Sequence, residues 1–322
     1  YTKEHVGYGA QIEKLRVRVS SEFERSDGFE KQRSLIGDLD DEYGAFRGNA
    51  HAVYDAGKND KLTFSLGSAV VDGNYPTPQL LNPIQREAHA QSNFFLTQWA
   101  HHIAPDNDLT LTAYFNDYYN AASVKWSEYR YQQFALQLGH TFKPADNHTL
   151  TWGVDNRWDL TDASTADPFM TNQNFIAGYA VGAYMQDAWN FAPKWTLTLG
   201  GRLDYDSYGG FAPSGRASLA YDINDNSMVY AAVSRAFQMA PSAKRFLDMP
   251  IATPLVQATV DRDISPETLI AYELGYRSHL FDKLDLNLAT FWNDYHDLSA
   301  GGVRLGHVNP IGLVDLHSDN AY

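Results

Sequence analysis

Four carboxylates in five residues, Asp38, Asp40, Asp41 and Glu42, make the densest run of hard oxygen donors in the chain. Calcium would need six to eight such oxygens. The run lacks the glycine-turn spacing of an EF-hand loop, and its plain reading is a solvated acidic loop. His101 and His102 are adjacent, so on a strand they point to opposite faces and do not share one ion. Ser278 and His279 are adjacent in the same way, and no G-x-S-x-G elbow accompanies them. With no cysteine, thiolate chemistry and Cys-ligated zinc are excluded. The expectation is therefore no enzyme, no catalytic residue, no metal ligand set and no cofactor.

Glu273 and Arg277 suggest what the strands are for. They lie four apart with Gly275 between them, on one face of a strand. That face is wet in most segments of this chain. Trp195, Leu197, Leu199, Leu203 and Tyr205 share one face, while Thr196, Thr198, Arg202, Asp204 and Asp206 share the other. Leu284, Leu286, Leu288 and Trp292 oppose Asp285, Asn287 and Asn293; Leu62, Phe64, Leu66 and Val70 oppose Thr63, Ser65 and Gly67. Leu15, Val17, Val19 and Phe23 oppose Arg16, Arg18, Glu22 and Glu24. Leu109, Leu111, Ala113 and Phe115 follow suit, with Asp117 an exception on the apolar side near the strand end. This period of two is the signature of strands with one apolar and one polar face.

The strands read as 10 to 14 residues long, about the length of tilted membrane-spanning strands. Their connections alternate. Short polar turns fall at residues 55–60, 105–108, 144–148, 192–194, 224–227 and 281–283, and long mixed connections at 26–40, 73–86, 161–174 and 238–266. Short periplasmic turns and longer extracellular loops are what an outer-membrane barrel shows. Trp99, Trp152, Trp189, Trp195 and Tyr54 lie toward the short turns, and Tyr118, Tyr119, Trp158, Tyr205, Trp292 and Tyr295 toward the long loops, as two interfacial belts would require. No run of about 18 apolar residues exists to make a helical span. The net charge of −14 argues against a nucleic-acid partner. The expected fold is all-β: a transmembrane antiparallel β-barrel, partial, with about 13–14 strands of a larger barrel. A soluble β-sandwich, which also alternates, is the competing architecture.

The pieces AYMQDAW (183–189), WTLTLGGRLDYD (195–206), SGRASLAYDINDNSMVYAAVSRAFQMAPS (214–242) and SPETLIAYELGYRSHLFDKLDLNLATFWNDYHDL (265–298) follow one another in an order and spacing that resemble the mid-to-late barrel of TonB-dependent receptors. The resemblance implies an outer-membrane active-transport receptor of a Gram-negative bacterium. Such a receptor captures a scarce nutrient, such as a ferric siderophore or cobalamin, and takes it up with energy supplied through TonB. It implies as partners the TonB protein, a small-molecule chelate or cofactor ligand, and outer-membrane lipid. Family members carry a plug domain and an energy-coupling segment ahead of the barrel, and neither is legible in residues 1–322. The tail VDLHSDNAY also lacks the alternation of a closing strand. The expectation is an incomplete barrel domain. Ligand contacts would then fall in the long loops and upper lumen, with Tyr75, Trp126, Phe169, Phe237 and Arg245 as the candidates. A passive porin-like or structural outer-membrane barrel is the alternative function.

Overall fold

The computed structural model describes residues 1–28, 32–34, 37–39, 41–76, 85–122, 128–164, 174–240, 249–250, 256–258, 265–281, 283–308 and 311–321. Side chains are described for 1–28, 41–74, 87–121, 128–164, 174–240, 265–281 and 283–298. In chain order the strands are β1 (Thr2–Ile12), β2 (Leu15–Ser26), β3 (Gln32–Ser34), β4 (Gly37–Leu39), β5 (Tyr43–Asp55), β6 (Asp60–Pro76), β7 (Gln85–Ala104), β8 (Asn107–Ala122), β9 (Tyr129–Ala145) and β10 (His148–Asp162). They continue as β11 (Phe175–Ala192), β12 (Trp195–Asp206), β13 (Gly210–Asn224), β14 (Ser227–Gln238), β15 (Met249–Pro250), β16 (Val256–Ala258), β17 (Glu267–Leu280), β18 (Leu284–His296), β19 (Leu298–Val308) and β20 (Ile311–Ala321). No helix occurs among the described residues.

Fourteen strands form one sheet in the order β1-β2-β5-β6-β7-β8-β9-β10-β11-β12-β13-β14-β17-β18, each beside the neighbour it meets through a hairpin or loop. The sheet is unclosed: β1 and β18 are its two ends. A strand before Leu15, absent from the sequence-based reading, accounts for the fourteenth member. The tail does become extended, but as β20 in a separate sheet, antiparallel to β19 and parallel to β16. Two compact units divide the chain, one made of 1–101, 110–136 and 157–178, the other of 102–109, 137–156 and 179–322.

Register follows the alternation. Leu15, Val17 and Val19 of β2 stand opposite Tyr54, Ala52 and Ala50 of β5, and Leu62 of β6 stands opposite Trp99 of β7. A one-residue slip would turn every one of these side chains to the wet face. Strands in the main sheet run from 11 residues in β1 to 20 in β7. Tilted strands of about 9–11 residues already cross a bilayer's hydrocarbon, so the longest project well beyond it. Several short turns hold a non-glycine residue in the left-handed region: Glu13 (φ 50°), Asp106 (57°), Lys194 (69°) and Phe281 (56°). Tight hairpins demand such angles to match strand twist.

Among the described residues there is no apolar core of the kind a soluble sandwich needs. Among the described residues the buried apolar side chains are four alanines and Tyr230, and no large side chain is fully buried. Val6, Leu66, Met185, Leu199, Leu203 and Leu288 instead stand half-exposed or more. An apolar face this extensive with nothing packed on it fits lipid as its solvent, since the backbone polar groups are satisfied between strands. Adjacent residues in β12 should therefore respond oppositely to charge. Leu199→Arg is expected to cost about 2–4 kcal/mol of folding free energy in lipid vesicles, and Thr198→Arg within about 0.5 kcal/mol. Equal costs in urea titrations of the two variants would contradict the assignment of faces.

Asp117, the exception to the alternation, is explained by its partners. On the apolar face its Oδ1 accepts from Arg130 Nε at 2.7 Å and Gln132 Nε2 at 3.1 Å, and its Oδ2 accepts from Asn93 Nδ2 at 3.3 Å. Only 8% of the residue is exposed, so the carboxylate is compensated where it stands.

Candidate functional site

The polar face carries its charge in clusters. In the first unit Glu24 of β2 accepts the Tyr43 hydroxyl at 2.7 Å, Arg47 Nη1 at 2.7 Å and the Tyr1 hydroxyl at 3.2 Å. Arg47 also donates to Glu22 at 2.8 Å, directly across the register from it. Further along, Asp159 of β10 accepts from the Tyr131 hydroxyl at 2.5 Å, Gln133 at 3.0 Å and Arg157 at 2.7 Å. Gln133 in turn accepts from Asn116 at 3.1 Å.

In the second unit Arg202 of β12 is the hub. Its Nη1 and Nη2 donate to the two Asp155 oxygens at 2.7 and 3.0 Å, a bidentate fork, and its Nε donates to Asp204 at 2.8 Å. Asp155 belongs to β10, two strands away, and the reach is possible because Gly182 of the intervening β11 has no side chain: a Cβ there would collide with the Arg202 guanidinium. Glu273 of β17 accepts the Tyr230 hydroxyl at 2.6 Å and Arg216 at 3.3 Å. Arg277 shares that face but sits 5.2 Å over the Tyr230 ring, a cation–π contact. The expected Glu273 and Arg277 thus do share a face, and the cation that reaches Glu273 is Arg216.

At the long-loop end of the first unit a cleft of about 670 Å³ is bordered by Arg25, Glu42, Tyr43, Asp72, Glu87 and His89. Its lining carries hydrogen-bond donors and acceptors of both signs. Ser278 donates or accepts at 2.7 Å with Ser227, while His279 Nδ1 lies 2.7 Å from Asp285 Oδ1, so serine and histidine do not meet. His101 and His102 likewise serve separate carboxylates, Asp60 and Asp108. Among the described residues no group of three or more His, Cys, Asp or Glu is arranged to hold a metal ion. Asp38 and Asp40 fall outside the described side chains.

Of the five candidate ligand contacts, Phe237 near the end of β14 stands opposite Thr268 of β17 and is partly exposed. Tyr75 stands opposite Arg86 in the backbone of β6 and β7, with its side chain outside the described ones. Trp126, Phe169 and Arg245 lie outside the described residues. What sequence reasoning missed is the clusters around Glu24, Asp159 and Arg202. Their signal was there in part: charged residues of polar-face parity and, for Arg202 alone, a glycine on the strand between.

The family model described as TonB dependent receptor-like, beta-barrel matches residues 17–306. The iron-regulated outer membrane virulence protein of Vibrio cholerae is 25% identical over 154 residues, 48% of this chain and 24% of that protein. The solved siderophore receptor PirA of Pseudomonas aeruginosa has a TM-score of 0.78 at 16% identity, covering 99% of this chain and 56% of that one. A mutant of the ferric enterobactin receptor PfeA of the same species gives 0.77 at 13%, covering 99% and 55%. At these identities the solved structures speak for the fold, and the chain spans about half of their length. An unclosed fourteen-stranded sheet with a lipid-like face, a charged opposite face and a family match over most of its length have one common account: the chain belongs to the TonB-dependent receptors, as part of their outer-membrane β-barrel.

Proposed function

We propose that this chain is barrel wall of an active-transport receptor that captures an iron-bearing chelate at the cell surface and passes it inward with energy from TonB. The observation that carries the reading is the family match over residues 17–306. Two of the proteins that share the fold over 99% of this chain are described as a siderophore receptor and a ferric enterobactin receptor. The partners in this proposal are TonB, acting through a plug segment beyond these residues, and the chelate itself. Tyr75, Trp126, Phe169, Phe237 and Arg245 are proposed contacts, aromatic and guanidinium groups being the side chains that most often dominate binding energy.

The test is uptake of a panel of labelled ferric chelates by iron-starved cells with and without the gene, and with TonB removed. Saturable uptake that disappears in both deletions is expected. Uptake that persists without TonB and rises linearly with concentration would instead assign a passive pore. Trp126→Ala and Arg245→Ala are each expected to weaken binding about tenfold, roughly 1.4 kcal/mol. Unchanged affinity in both variants would remove those residues from the site.

A further inference from the structure

The short-turn rim of the apolar face holds the same three side-chain types in each unit. In the first, Asp60 Oδ1 accepts the Trp99 indole N–H at 2.9 Å and lies 2.8 Å from His101 Nδ1, with the two rings 5.4 Å apart. In the second, His148 Nδ1 lies 2.8 Å from Asp187 Oδ2, and its ring stacks on Trp189 at 5.4 Å and 10°. Both sets are on the apolar face. Trp99 stands opposite Leu62, Asp187 opposite Leu199 and Trp189 opposite Leu197.

The two sets differ in how far the carboxylate is satisfied. Asp60 has both an indole and an imidazole donor on one oxygen. Trp189 stacks on His148, and Asp187 Oδ1 is covered without any hydrogen bond. Among the described residues no lysine or arginine forms an ion pair with Asp187. About a third of its side chain, 33%, remains open. A carboxylate beside hydrocarbon with no lysine or arginine partner is costly, and since Oδ1 is covered, a cation that offset the cost would meet the carboxylate at Oδ2, beside His148. On the lipid face, at the depth of the aromatic belt, the cation within reach is a lipid headgroup.

We propose that Asp187, His148 and Trp189 form a binding site for a phospholipid whose headgroup ends in a primary ammonium. An ammonium N–H donates to Asp187 Oδ2, His148 holds the carboxylate in place, and Trp189 seats the glycerol boundary. This rests on the outer-membrane assignment and is independent of the transported ligand.

The full-length protein, extracted from outer membranes, would be placed in nanodiscs of phosphatidylethanolamine, phosphatidylcholine or phosphatidylglycerol with identical acyl chains. Thermal unfolding midpoints and the lipid retained in native mass spectra are then measured. Phosphatidylcholine differs in lacking ammonium N–H donors, so retention of phosphatidylethanolamine should exceed it about fivefold, the weight of one water-exposed charged pair. Asp187→Asn should abolish the preference, whereas Asp60→Asn should keep it. Equal retention of the three lipids by the unmutated protein, or a preference that survives in Asp187→Asn, would overturn the proposal. The comparison on the unmutated protein holds even if the variant fails to fold.

Discussion

Gly153→Ala is expected to destabilise the barrel by about 3 kcal/mol, and removing the aromatic ring beside it is not expected to restore it. A Cβ on Gly153 of β10 would meet the Leu138 carbonyl oxygen at 2.5 Å and the Tyr184 ring and hydroxyl at 2.6 Å. Tyr184 can rotate away; the Leu138 carbonyl is backbone of β9. Gaining room there means pulling on strand backbone. Gly275 of β17 supplies the contrast. Its Cβ would strike atoms of the Tyr230 ring and hydroxyl, all at the end of a side chain. Gly275→Ala should therefore cost about 1–2 kcal/mol, from displacement of Tyr230 and loss of its 2.6 Å bond to Glu273, and Gly275→Ala with Tyr230→Ala should recover part of it. Elsewhere in a strand, alanine for glycine is favourable by up to about 1 kcal/mol, so a loss at Gly153 carries the sign of the clash. Urea midpoints in lipid vesicles for Gly153→Ala, Gly275→Ala and each double variant decide it. Rescue of Gly153→Ala by Tyr184→Ala would show that the backbone contact is not what matters.

The fold was legible because a membrane strand writes both its faces into the sequence. Leu197, Leu199 and Leu203 against Thr198, Arg202 and Asp204 already give strand, face and extent. β1 was missed because the Glu13–Lys14 turn after it contains no Gly, Asn, Asp or Pro, and Glu13 takes its left-handed angle regardless. Clusters on the polar face were less legible, and the reason is geometric. Parity places Glu273 and Arg277 together, but register is needed to bring Arg216 and Tyr230, 57 and 43 residues away in sequence, to the same carboxylate. Asp155 and Arg202 are harder still, since a whole strand lies between them and their contact depends on a missing side chain at Gly182. Asp117 shows the opposite case: the sequence exposed it as an anomaly, and its partners Asn93, Arg130 and Gln132 come from the two adjoining strands. Phe169 and Arg245 lie in long connections, where periodicity stops and side-chain type is all that remains to argue from.

Arg202→Met is expected to lower stability by about 2 kcal/mol, and the loss should be largely cancelled when Asp155 and Asp204 are both replaced by asparagine. The guanidinium separates two carboxylates and forks onto one of them. Without it, two like charges share a partly desolvated patch with no cation between. Breaking a fully buried pair costs about 3–5 kcal/mol, but Arg202 is 33% exposed and its partners 25% and 13%, so solvent screening reduces the figure. Arg202→Lys keeps the charge and loses the fork, which predicts an intermediate loss of about 1 kcal/mol. Gly182→Ala reaches the same cluster from the other side, because its Cβ would displace the guanidinium and crowd the Asp204 carboxylate while removing neither charge. If Gly182→Ala and Arg202→Met are additive, the two act separately; if the pair costs no more than the larger single loss, both work by removing one bridge across β11. A triple variant Arg202→Met, Asp155→Asn, Asp204→Asn as unstable as Arg202→Met alone would mean that packing of the arginine stem, and not its charge, holds β10 to β12.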